Sequence, residues 1–157
     1  MRYSFFYAMA FLQFVVFTHH SAQAETNVTI RKIEEAALDE IIGANDNRIL
    51  VAFMAAWCGP CIQELPDLNR LHNKYKNQSF NLIGISIDLE GPEAMQAIVN
   101  QLRIDFPIFW YGEKAILKYN LSAIPMLLFV KQGKITERLR GKPPAAYLDK
   151  KIREFLK

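Results

Sequence analysis

The apolar run RILVAFMA, residues 48–55, leads directly into AWCGPC and then into a segment with leucines at 65, 68 and 71. A run of this length without helical period reads as a strand buried on both faces, whereas the leucine spacing reads as the core side of a helix from about Cys61 to Tyr75. A buried strand that turns at once into a helix, with two cysteines at the turn, restricts the fold severely. It needs sheet neighbours on either side and helices on both faces. FNLIGISID, residues 80–88, reads as one such neighbour.

The remaining segments supply the helices and the other strands. IRKIEEAALDEIIGAN places Ile33, Ala37, Leu38, Ile41 and Ile42 at helical spacing and stops at Gly43. GPEAMQAIVNQLRI is a helix with proline near its start, where the missing N–H costs nothing. FPIFW follows as a short strand and EKAILKYN as a helical stretch. PMLLFV, a turn at residues 131–134 and ITERLR form an antiparallel hairpin, and PAAYLDKKIREFLK is the last helix. The fold class is therefore α/β, a mixed central sheet flanked by helices. Pro66 is expected to kink its helix, because proline removes one helical hydrogen bond and crowds the preceding turn.

The chain has 157 residues, enough for one domain, and its charge of +3 arises from 19 basic and 16 acidic residues with no block of like sign. That distribution gives no nucleic-acid footprint. The first residues behave differently. Arg2, an apolar stretch from Tyr3 to Phe17 and Ala22-Gln23-Ala24 form the charged, greasy and small-residue parts of a secretory signal. The stretch is shorter than the roughly 20 residues a spanning helix needs. The expected organisation is a signal peptide at residues 1–24, cut after Ala24, and one domain at 25–157 working outside the cytoplasm; retention of the first segment as an anchor is the alternative.

Cys58 and Cys61 are the only cysteines. A disulfide between them closes a loop of about four residues and constrains the unfolded chain little, so as a staple it is poorly placed. A structural zinc site needs about four ligands, and His72 is the only histidine beyond the signal. A redox pair fits better. At the start of a helix, unpaired N–H groups stabilise the Cys58 thiolate, which makes Cys58 the nucleophile. Pro60 stiffens the Gly59-Pro60 loop, and Cys61, one turn in, becomes the resolving thiol. Glu64 shares a helix face with Cys61 and is placed to exchange a proton with it; the alternative is a solvated first-turn glutamate. Pro125 opens a buried strand, a position suited to a cis bond or to an ordinary strand start.

ILVAFMAAWCGPC, Pro66, and YNLSAIPMLLFVKQGKI with Gly141 beyond it resemble the landmarks of the thioredoxin superfamily, over about residues 30–157. The resemblance implies a thioredoxin-like sheet, a cis Ile124-Pro125 bond near the cysteines, and Ile124 backbone groups that pair with an extended substrate. Trp57 then shields the sulfurs and joins the docking surface, or else is a packed core residue. Thioredoxin's buried aspartate and its lysine partner are replaced here by Ala52 and Gly84. CGPCIQELP and an inserted helix-strand unit at about residues 91–110 are closer to the extracytoplasmic TlpA/ResA-type reductases.

That likeness implies a monomeric periplasmic protein-disulfide reductase with no cofactor beyond the Cys58–Cys61 couple. Its clients are disulfide-containing proteins, an apocytochrome c among them, and its electrons come from a membrane thiol donor. Met126 departs from the smaller polar residue usual after the cis-proline, which bears on substrate preference. Other readings are a Cu(I) carrier using Cys58, Cys61 and Met126, a disulfide oxidase or isomerase, and a thiol peroxidase.

Overall fold

The computed structural model describes residues 28–44 and 48–157. The expected signal peptide and its cut after Ala24 lie outside the described residues, and no helix among them is long and apolar enough to cross a membrane. The elements are β1 (Arg31–Lys32), α1 (Glu35–Gly43), β2 (Arg48–Met54), α2 (Gly59–Tyr75), β3 (Phe80–Ser86), α3 (Glu93–Leu102), β4 (Ile108–Trp110), α4 (Lys114–Lys118), β5 (Met126–Lys131), β6 (Lys134–Arg140) and α5 (Ala145–Phe155). The strands form one six-stranded mixed sheet in the order β1-β4-β3-β2-β5-β6. β2, the run that most restricted the fold, lies inside the sheet, parallel to β3 and antiparallel to β5. Ile49 to Met54 are all buried, as a strand covered on both faces requires.

Against the sheet, α2 buries a single stripe made of Cys61, Glu64, Leu65, Leu68, Leu71 and Tyr75. The stripe follows the 3.6-residue period, and each of its leucines contributes about 1.5–3 kcal/mol by leaving water. The helix continues through the exposed Pro66 as a single element. The hairpin turn has positive φ at both Gln132 (52°) and Gly133 (68°), the conformation that suits the twist of two-residue connections. A side chain at Gly133 would also place its Cβ 2.9 Å from the Gly43 carbonyl at the end of α1. The outer strand β6 is charged and largely exposed, which discourages pairing with another chain.

Several boundaries differ from the sequence expectation; the strand expected over residues 106–110, for one, begins at Ile108. Residues 31–32, expected at the start of the first helix, instead form β1 beside Phe109 and Trp110 of β4. The open edge of β4 takes them up, Ile30 and Ile33 turn into the core, and the Ile33 N–H donates to the Trp110 carbonyl at 3.0 Å. The strand expected over residues 80–88 ends at Ser86, because Asp88 is engaged elsewhere. α3 and β4 occupy the region expected for the helix-strand unit, with β4 lying between β1 and β3.

Candidate active site

The site is built at the junction of β2 and α2. The chain leaves the sheet at Met54, turns so that the Cys58 N–H donates to the Ala55 carbonyl at 3.1 Å, and enters α2 with Cys58 as its N-cap. Pro60 falls in the first turn of α2, where no helical hydrogen bond is lost. Cys58 and Cys61 form a disulfide, with Cα atoms 5.2 Å apart. The Cys61 N–H donates to the Cys58 sulfur at 3.3 Å, so a free helix donor already faces the atom that carries the charge when the bond is reduced. Cys61 is 1% exposed and Cys58 6%, which leaves the first sulfur the more accessible of the two.

Glu64 stands one turn further along the same buried stripe and is only 2% exposed. The solvated first-turn glutamate is therefore not what the fold contains. The register of α2 that buries Cys61 and Leu65 carries Glu64 inward with them. Its Oε1 has no hydrogen-bond partner. Burial pushes its carboxyl up to about 8, with the Lys142 ammonium opposing the rise and the Asp67 carboxylate adding to it. An acid in that range is close to a thiol, whose ordinary value is about 8.5, so a proton can pass between the two with little free-energy change.

Across the sheet, Met126 pairs with Phe53, so Pro125 lies at the same edge from which β2 leaves toward the cysteines. The Ile124-Pro125 peptide bond is cis, and the Pro125 carbonyl accepts the Gly141 N–H at 2.8 Å. Ile124 is half-buried and, among the described residues, takes part in none of the main-chain hydrogen bonds outside the regular elements. Trp57 is 65% exposed, which removes the packed-core alternative. Met126 is buried at the start of β5. Among the described residues, no group of three or more His, Cys, Asp and Glu is placed to hold a metal ion. Ala52 and Gly84 face each other in the β2–β3 register, and among the described residues the buried polar side chains are Glu64, Ser86 and Asp88.

Ser86 and Asp88 were not singled out from the sequence. The Asp88 carboxylate accepts the Ala56 N–H at 2.8 and 3.1 Å and the Ser86 hydroxyl at 2.7 Å. Its main-chain carbonyl accepts the Trp110 indole N–H at 2.6 Å. The available signal was an acidic residue ending an apolar run, at the carboxyl edge of a parallel strand, where sites of α/β sheets gather.

Residues 21–138 match the AhpC/TSA family. The thiol-disulfide oxidoreductase ResA of Bacillus anthracis is 31% identical over 103 residues, an alignment that covers 64% of this chain and 59% of the relative. The chain thus spans somewhat under two thirds of the length of the ResA proteins it matches. Among solved structures, a thiol:disulfide interchange protein of the thioredoxin family from Chlorobium tepidum superposes with a TM-score of 0.65 at 21% identity, covering 72% of this chain and 82% of that one. StoA from Bacillus subtilis superposes with a TM-score of 0.62 at 19% identity, covering 69% and 84%. At these identities the two superpositions establish a shared fold, the thioredoxin-like one.

Proposed function

Because the chain belongs to the AhpC/TSA family and carries the thioredoxin-like fold, we propose that it is an extracytoplasmic thiol-disulfide oxidoreductase that reduces client disulfides through Cys58 and Cys61. The observation that carries this reading is the Cys58–Cys61 disulfide at the N-terminus of α2, with a buried carboxyl one turn behind it. The likeness to ResA proteins supports the same chemistry.

In the reduced protein the Cys58 thiolate attacks one sulfur of a client disulfide, forming a mixed disulfide and releasing the client's other sulfur as a thiolate. Cys61 then gives its proton to Glu64 and attacks the Cys58 sulfur. The Cys58–Cys61 bond forms, the mixed disulfide breaks, and the second client thiolate leaves. Two electrons have moved to the client, and Glu64 holds the proton that Cys61 lost. A neutral Glu64 beside a closed disulfide, as the raised pKa of its carboxyl describes it, is the state that follows this step. Reopening the disulfide takes two electrons from a thiol donor and returns the proton from Glu64 to Cys61.

The client presents an extended segment to the Ile124 main chain, in the manner of a strand added to a sheet, with Trp57 beside it. The signal at residues 1–24 directs the domain across a membrane to the periplasm, where a membrane thiol carrier supplies electrons. A cysteine pair of an apocytochrome c is the client that the ResA likeness favours. The test is to charge the domain with a dithiol and follow reduction of a protein disulfide, then to mix the Cys61→Ser variant with oxidised client. Catalysed reduction and a trapped adduct on Cys58 are expected. Peroxide turnover faster than disulfide reduction, or no adduct with any oxidised client, contradicts the proposal.

A further inference from the structure

The turn that presents Trp57 and Cys58 is held from a neighbouring strand. Asp88 and Ser86 are both fully buried, and among the described residues the other buried polar side chain is Glu64. Enclosing a carboxylate is costly unless donors meet it, and here they do: the Ala56 N–H spans both oxygens and the Ser86 hydroxyl meets one of them. Ser86 in turn accepts the Asp88 N–H at 3.3 Å, and the Ile87 N–H donates to the Met54 carbonyl at 2.9 Å. Ala56 has no sheet partner, since β2 ends at Met54. Asp88 therefore gives the loop between Met54 and Cys58 a fixed point that the ladder does not.

Resting on the proposed redox role of the cysteines, we infer that Asp88, oriented by Ser86, is a positioning residue that holds Cys58 at the N-terminus of α2 in the reduced protein. In the oxidised form the disulfide itself keeps Cys58 beside Cys61. Once that bond opens, the tether through Ala56 is what keeps the sulfur facing the helix N–H groups. Its loss should cost the dithiol form more than the disulfide form, raising the Cys58 pKa and making the couple more reducing.

The test compares Asp88→Ala with Asp88→Asn. Both remove the negative charge, and only the second leaves an oxygen for the Ala56 N–H, so the difference between them isolates the tether. The readouts are the equilibrium of the Cys58–Cys61 couple in a glutathione or dithiothreitol redox buffer and the pH profile of Cys58 alkylation. Asp88→Ala should shift the equilibrium about tenfold toward the disulfide relative to Asp88→Asn, about 30 mV for a two-electron couple, with alkylation moved to higher pH. Identical midpoints and alkylation profiles for the two variants, whatever their melting temperatures, overturn the inference. If Asp88→Ala does not fold, Ser86→Ala takes its place, with a change of about threefold in the same direction expected and an unchanged midpoint counting against the inference. Neither readout uses a client protein, so a wild-type chain that reduces no client would sink the proposed function while leaving this result standing or falling separately.

Discussion

Two polar regions of the molecule treat their charges in opposite ways. Between α1 and α4, Lys118 lies 2.9 Å from Glu35 and 2.7 Å from Asp39, while the Tyr111 hydroxyl donates to Glu35 at 2.9 Å. Burial works against the Lys118 ammonium, but hydrogen bonds to Asp39 and Glu35 raise its pKa overall. Behind the cysteines, Glu64 is enclosed with an oxygen that has no partner, and its carboxyl is held neutral at pH 7. The first region satisfies every charge it gathers and joins two helices. The second keeps an ionisable group that weakens the fold whenever it ionises. A sequence free to optimise stability would replace such a group with a leucine; in the proposed cycle its place beside the disulfide is where a proton is handled.

The comparison breaks most sharply at the sulfurs. Cys58→Ser should abolish disulfide reduction, and Cys61→Ser should stop turnover while accumulating a client adduct, measured by non-reducing electrophoresis and mass spectrometry. Glu64→Gln should come next, slowing reduction at neutral pH by about a hundredfold, the lower end of what a positioned acid or base supplies. The same variant separates chemistry from stability. Glu64 has a folded-state pKa of about 8 against an ordinary value of 4.5. Folding therefore favours its protonated form, so its contribution is fully present below about pH 4.5 and is lost as the pH rises through about 8. Denaturant melts across that window should show the decline in the wild type and a flatter profile in Glu64→Gln.

A smaller effect is expected from Lys142→Gln. Lys142 is exposed, and its ammonium opposes the rise at Glu64. Removing it should move the Glu64 titration, and with it the pH dependence of turnover, further upward. The smallest effect belongs to the paired region. Lys118→Ala removes surface ion pairs typically worth under about 1 kcal/mol each, lowering the melting temperature by about 2–4 °C and leaving disulfide exchange unchanged. A loss of exchange in Lys118→Ala would erase the contrast between the two regions.

Much of this arrangement was legible in the sequence because it rests on strong local signals. The run at 48–55 and the leucine spacing after Cys61 fixed a buried strand joined to a helix, and the turn at 131–134 fixed a hairpin. β1 was hidden because its pairing is decided by the free edge of β4, far along the chain, and the isoleucines on either side of it, Ile30 and Ile33, sit at a spacing that also suits a helix. The burial of Glu64 was open to two readings, since a carboxylate in a first turn is as much at home in water as behind a sulfur. Only the rotation of α2 against the sheet decides between them. Asp88 escaped notice because its role lies in a hydrogen bond to Ala56, 32 residues away, and nothing in the local pattern points there.

The most direct measurement is the titration of the Glu64 carboxyl in the disulfide form, read from its side-chain carbon resonance across pH 3–10. A midpoint near 8 is the result expected of a buried acid that holds the proton surrendered by Cys61. A midpoint in the usual glutamate range, near 4.5, would mean that water reaches the carboxyl and that it stores no proton for the cysteines.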